Sequence, residues 1–399
     1  MNKEINKNHI LILLASIFFL GMAATDIYIP SLPDMVKYFS STPSTINLTL
    51  SAYTIGTGVF VLFADALSSY FGRRPIVIAA ISIFIITSIA IGFSDSIWLV
   101  ILLRFAQSSI GILFVVTRQI SKDIMNQREQ VRANAIMLSG LIISPAVSPV
   151  IGAFLAYHFG WRSCFVFTAI IGVLILLFAI KSLPETNLNR AKYFPKMGAY
   201  FIKYAHLAKN KLFIGLTTIY ACSTASFCAF LGISSYLYID KLGITPIDYS
   251  YVYIFMAVAY LGGNQLLLFL NKRECSYYKL ITIGISLTLL GGLVTLYAYF
   301  VPTIIVIFLC VTIGSILMRG ATAMTNPTTQ VLTINYFKDD GGMALGLSMS
   351  INNIMMGVSV ILVSLFEYHP LEGLIIVSLF FAFCQIAGFL GIRRKVLEL

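Results

Sequence analysis

Charge is what this chain has least of. Of its 399 residues only 11% are charged and 58% are hydrophobic, and the mean hydropathy is +0.90. So little charge excludes an ordinary soluble domain. Cysteine is sparse too. Cys164, Cys222, Cys228, Cys275, Cys310 and Cys384 form no CxxC pair and no Cys/His cluster. Neither a disulfide framework nor a metal site is expected, and no cofactor is implied. The histidines, His9, His158, His206 and His369, all fall near the terminus or in expected loops. With no nucleophile–base pair and no phosphate-cradling motif, an enzyme is not expected. Nothing resembles a selectivity-filter loop, which disfavours a channel. The first apolar run lacks a small-residue cleavage pattern and is expected to stay as a helix.

What the chain does have is long apolar runs. A spanning helix needs roughly 20 mostly apolar residues, and twelve runs fit that length. They lie at 9–30, 45–67, 75–94, 98–119, 133–157, 163–183, 212–237, 249–270, 279–299, 302–327, 343–366 and 371–392. Arg319 and Asn326 interrupt the tenth. The longest polar stretch, 181–211, separates two groups of six. The expectation is an all-α membrane protein with twelve transmembrane helices in two six-helix bundles. The bundles are residues 1–183 and 212–399, with 184–211 as a cytoplasmic linker. Within the linker "MGAYFIKYAHL" can form a short amphipathic helix on the inner face, although a solvated linker is the plainer reading.

The net charge of +11 raises the question of nucleic acid. Its distribution argues against that. With the N-terminus inside, the inward loops collect most cations, among them Arg73, Arg74, Arg118, Lys122, Arg128 and Arg132. The outward loops carry Lys37, Arg162 and Lys241. Basicity here reports topology, with both termini cytoplasmic.

Three segments carry motifs. The loop "DALSSYFGRRPIV", 65–77, has Gly72 for a tight turn, Arg73 and Arg74 to hold it inside, and Pro75 to open the next helix. In "LLRFAQSSIGILFVVTRQISKDI", 102–124, Arg104, Gln107, Gly111 and Arg118 recur at helical spacing and form one face. A polar stripe on an apolar helix must turn toward a cavity or a polar partner. In "SGLIISPAVSPVIGAFLAYHFGWR", 139–162, prolines and small residues allow bending and close packing.

These segments resemble the major facilitator superfamily. The loop is similar to G-x-x-x-D-R-x-G-R-R, with Asp65 where the family has its first glycine and Ser69 where it has aspartate. Asp65 is one turn early, and Arg73 is its expected partner. The second segment resembles R-x-x-Q-G followed by R-x-x-x-x-D, here Arg118 and Asp123. The third resembles the antiporter motif G-x-x-x-G-P-x-x-G-G through Pro149 and Gly152. With "TDIYIPSLPDM" they are similar to the Bcr/CflA branch of drug/proton antiporters. The resemblance implies that helices one, four, seven and ten line a central cavity.

The most conspicuous acid is Asp26. It sits about four residues inside the end of helix one, and Arg104 about six residues into helix four. At ~1.5 Å per residue both lie roughly 6–9 Å below the outer end, so they can meet. Asp34 falls beyond Pro30 and Pro33 in the expected outer loop. Asp26 and Arg104 are the expected proton-coupling pair, the alternative being a structural ion pair or a carboxylate snorkelling to the outer interface. Arg319, Thr322, Asn326 and Gln330 form a second polar line, and Ser223, Ser226 and Ser234 a third. Gln107, Arg118, Ser226, Arg319 and Asn326 are the expected substrate contacts, the alternatives being hydrogen-bonded packing, the plainer reading for the serines, and snorkelling to the inner interface for Arg118. Asp65, Gly72, Arg73, Arg74, Asp123, Pro149 and Gly152 are the expected gating and structural residues. An arginine in the second half points to an anionic or polar substrate.

The function expected is proton-coupled export of small organic compounds across a bacterial inner membrane. Its partners are substrate, protons and the lipid bilayer, with no nucleic acid, and a monomer is expected. A dedicated siderophore or metabolite transporter is the alternative within transport. A non-transporting receptor is the alternative outside it, and would bring an added soluble domain.

Overall fold

The computed structural model describes residues 6–188, 190–194, 197–337 and 340–397, and every regular element among them is helical. Of the expected linker, residues 189, 195 and 196 lie outside the described set. In a bilayer each backbone N–H and C=O must be satisfied by protein, and a helix does that within one segment. In chain order the first eight helices are α1 (Lys7–Asp26), α2 (Leu32–Tyr38), α3 (Pro43–Phe71), α4 (Arg73–Gly92), α5 (Ile97–Gln107), α6 (Leu113–Ile124), α7 (Gln127–Phe159) and α8 (Arg162–Ser182). A short α9 (Met197–Leu207) precedes α10 (Lys211–Ser235), α11 (Pro246–Lys272), α12 (Tyr277–Phe300), α13 (Ile304–Tyr336), α14 (Gly341–Ser364) and α15 (Pro370–Leu397).

Eleven stretches among the described residues are long and apolar enough to cross a membrane. The expected fifth span lies inside α7, whose part Ile143–Phe159 is apolar. Helix starts follow the sequence. Asn6, Asn126, Asn210, Thr245 and Thr303 accept from first-turn N–H groups of α1, α7, α10, α11 and α13. His9 lies near the start of α1, as expected, whereas His158 and His206 lie on helices near their ends and not in loops, because α7 and α9 extend over them.

The chain divides into two compact units. The first comprises Met1–Ser31 and Ala52–Met197. Here α1 packs on α7, and α4 on α8. Leu14, Phe18, Phe84, Leu113, Val116 and Ile120 belong to its dry core. A methyl at Gly152 would strike the Ile27 carbonyl, so the close approach of α7 to the end of α1 depends on that glycine.

The expected fourth span is not one uniform helix. Between α5 and α6 the chain tightens into a 3-10 segment, Ser108–Ile112. There α3 crosses closely: Ser108 lies against Gly56, and Gly111 against Thr57. Five residues wound at ~3.0 instead of 3.6 per turn rotate α6 by about 100° relative to a continuous helix. Arg118 therefore leaves the line of Arg104 and Gln107.

The second unit comprises Leu32–Ser51 and Gly198–Leu399. Sequence order would put residues 32–51 with the first half. Asn47 Nδ2 donates to the Gly232 carbonyl of α10 at 2.6 Å, and the Ser44 N–H to Glu367 at 3.3 Å, which tie them to the second unit. The stretch expected as an outer loop is helical here, with Asp34 4.0 Å from Lys37. Nearly every residue of α10 is buried, and α13, α14 and α15 pack on it. Helix α13 runs unbroken through Arg319, Asn326 and Pro327. Thr322, Thr325, Thr328, Thr329 and Thr333 donate to carbonyls one turn back, so their hydroxyls are satisfied within the helix.

Candidate functional site

Asp26 is the last residue of α1, because the helix gives way to a turn at Ile27. It is 4% exposed, and Arg104 on α5 is 0% exposed. A buried guanidinium needs acceptors and counter-charge. Arg104 Nη1 donates to the Ala24 carbonyl at 2.9 Å and to Gln107 Oε1 at 2.6 Å. Gln107 Nε2 donates onward to Ser88 Oγ at 2.6 Å, and Ser88 to the Phe84 carbonyl at 2.7 Å. The guanidinium carbon lies 4.3 Å from the Tyr53 ring centroid and 4.7 Å from that of Tyr28. Such faces attract cations, most strongly away from water. Tyr53 OH donates to the Gly21 carbonyl at 2.7 Å. Asp26 follows two residues after Ala24, so the acid lies beside the carbonyl that Arg104 holds.

This cluster uses both ends of the Gln107 amide. Arg118, on α6, is half-buried and turned away from the Arg104 line. Sequence reasoning missed Tyr28, Tyr53 and Ser88. Tyr28 was within reach, two residues after Asp26. Tyr53 and Ser88 lie on other helices, and one sequence does not fix how helices rotate against each other.

A second polar network sits where α3 meets α4. Gly72 turns the chain with φ 99°, in the left-handed region that favours glycine. Arg73 Nε is 3.4 Å from Asp123, and its Nη1 donates to Ser68 at 2.8 Å. Ser68 donates to Gln119 at 2.8 Å, and Gln119 to Asp65 at 2.7 Å. Asp65 and Arg73 are thus joined through two intermediates. Arg74 donates to the Ile180 carbonyl at 3.0 Å. The chain after α8, read as solvated linker, returns to this loop. Glu185 accepts from the Arg73 N–H at 2.9 Å, and Asn187 donates to the carbonyls of Ser68 and Ser69. Thr186 donates to Asp123 at 3.0 Å. The polar residues of "LPETN" are the part of the sequence that carried this information.

Pro149 and Gly152 lie buried on α7, where Ser144 and Ser148 bond each other at 3.1 Å. In the second unit Ser226 is fully buried and donates to the Ser378 carbonyl at 3.2 Å. Asn326 Nδ2 donates to Thr224 at 3.1 Å. The Arg319 guanidinium carbon is 4.7 Å from the ring centroids of both Phe227 and Tyr260.

Multidrug resistance protein D of Escherichia coli (strain K12) is 26% identical over 259 residues, covering 63% of this chain and 65% of that protein. A chloramphenicol resistance protein of Pseudomonas aeruginosa is 28% identical over 250 residues, covering 62% of this chain and 58% of that protein. Less than two thirds of either relative's length is matched. The solved inward-facing, unoccupied structure of a bacterial homolog of the human lysosomal transporter Spinster aligns with a TM-score of 0.78 at 13% identity, covering 98% of each chain. That likeness shows the fold. The family model described as Major Facilitator Superfamily matches residues 14–360, and the chain belongs to that superfamily.

Proposed function

We propose that this chain is a proton-coupled antiporter exporting small organic compounds or drugs across a bacterial inner membrane by alternating access. The observation that carries this is Asp26, a buried acid at the end of a membrane-spanning helix, two residues after the Ala24 carbonyl that Arg104 holds. Ionisable groups at such depth are costly and mark ion and proton pathways. A carboxyl holds its proton differently with and without a cation beside it. Arg104 is equipped for both conditions. When Asp26 is protonated, the Ala24 carbonyl, Gln107 and the rings of Tyr28 and Tyr53 still hold the guanidinium. Neutralising the acid therefore does not strand the base.

The relatives' names, multidrug and chloramphenicol resistance, support drug export. The remaining assignments belong to the same reading: twelve spans in two six-helix bundles, both termini cytoplasmic, a monomer, and transport without catalysis. The network of Asp65, Gly72, Arg73, Arg74 and Asp123 is the inner gate, and Pro149 with Gly152 the bend in α7.

The test uses purified protein in liposomes with an imposed pH gradient and chloramphenicol or ethidium as cargo. Wild type moves cargo in step with the gradient. Asp26→Asn elutes as a folded protein and loses gradient-driven movement. Uphill transport by that variant would remove Asp26 as the proton carrier.

A further inference from the structure

We infer that Arg319 is the seat for the carboxylate of an organic anion, an assignment that rests on the transport reading. The two embedded arginines are held in very different ways. Arg104 donates to a carbonyl and to an amide oxygen. Arg319 is half-buried, and among the described residues its guanidinium has neither a hydrogen bond nor an ion pair. Its neighbours are two rings, each 4.7 Å away. Rings attract the cation through their faces and accept no N–H in the plane of the guanidinium. The five donors of the fork remain to be satisfied.

The site is built from three helices of one unit. Phe227 is on α10 and buried. Tyr260 is on α11, which packs backbone to backbone on α13, since even a methyl on Gly263 would strike the Gly320 carbonyl. Arg319 lies midway along the 33-residue α13. Asn326 and Gln330 come at offsets of seven and eleven, on nearly the same line of the helix, and both are half-buried. At ~1.5 Å per residue Asn326 is about 10 Å further along, held toward α10 by Thr224. A charged head at Arg319 and a polar group near Asn326 is the arrangement offered.

Depth and shape choose the ligand. Arg319 is more than ~20 Å from either end of α13, out of reach of lipid phosphates at the surface. An unmatched cation at that depth is retained for a pathway and not for packing. A planar fork accommodates a planar carboxylate through two parallel bonds.

The test is equilibrium binding to the full chain in detergent at pH 7, with matched pairs: benzoate, 2-naphthoate and octanoate against their neutral amides. At least one acid should bind ten-fold or more tightly than its amide. Equal binding across all pairs overturns the inference without any variant. Arg319→Gln should erase the preference, and a preference that survives it overturns the inference. Should that variant fail to elute as a single species, Arg319→Lys carries the test. It keeps the charge and loses the fork, so the preference should fall several-fold; an unchanged preference counts against the seat. Asp26→Asn should keep the preference. If acids are preferred but no cargo follows the pH gradient, the seat stands and the antiport reading falls. If ethidium follows the gradient with no acid preferred, the antiport reading stands and the seat falls.

Discussion

Replacing Arg104 by methionine removes the charge around which Asp26, Gln107 and two tyrosine rings are arranged. The acid is then left buried without its cation. Breaking a buried pair from one side costs about 3–5 kcal/mol, whereas removing both charges is far less costly. Arg104→Met should therefore unfold much earlier in an SDS titration of mixed micelles, and adding Asp26→Asn should recover most of the loss. A single variant as stable as wild type would mean the acid is not charged in that setting. Asp26, Arg104 and Arg319 were legible in the sequence because polar groups stand out in apolar runs. Their ring partners were not. Tyr28, Tyr53, Phe227 and Tyr260 belong to residue types that fill cores and interfaces everywhere, and only the packing of helices singles them out.

Between elements, the start of α1 is tied to the start of α7. Lys7 Nζ lies 2.8 Å from both oxygens of Glu129, which also accepts from the Asn126 N–H at 3.0 Å. The Lys7 bond, and after it the Asn126 bond, hold the Glu129 carboxyl below its ordinary range. A lowered value in the folded state stabilises above the unfolded value and is lost as pH falls through the folded one. Unfolding of wild type monitored from pH 7 to pH 3 should thus lose a component below the usual glutamate range that Glu129→Gln does not have. Parallel curves would assign the acid sensitivity elsewhere. Element limits were only partly legible. The apolar runs at 133–157, 212–237 and 249–270 located α7, α10 and α11, but the capped starts of these helices lie one to six residues earlier. The tenth run was expected to end at 327, yet α13 continues to Tyr336 with Pro327 inside it. The 3-10 segment at Ser108–Ile112 answers to α3 beside it, which no local pattern records.

Across the whole molecule, the skew of Lys and Arg makes orientation testable. A green fluorescent protein fused after Leu399 should fluoresce, and alkaline phosphatase at the same point should be inactive, as inside positions require. The opposite pair of results would invert the topology. The number of spans was close to legible because hydropathy is summed over many residues. The membership of residues 32–51 was not, since it turns on Asn47 and Ser44 bonding to residues far along the chain. The short 3-10 segment also matters at this scale. The stretch Ile97–Ile124 has 28 residues, five of them in that segment. At ~2.0 Å per residue instead of 1.5 they lengthen the rod by about 2.5 Å. Against a hydrocarbon layer of about 30 Å, that extension sets how far the span tilts or its ends protrude, so its fit to bilayer thickness depends on winding as well as on residue count.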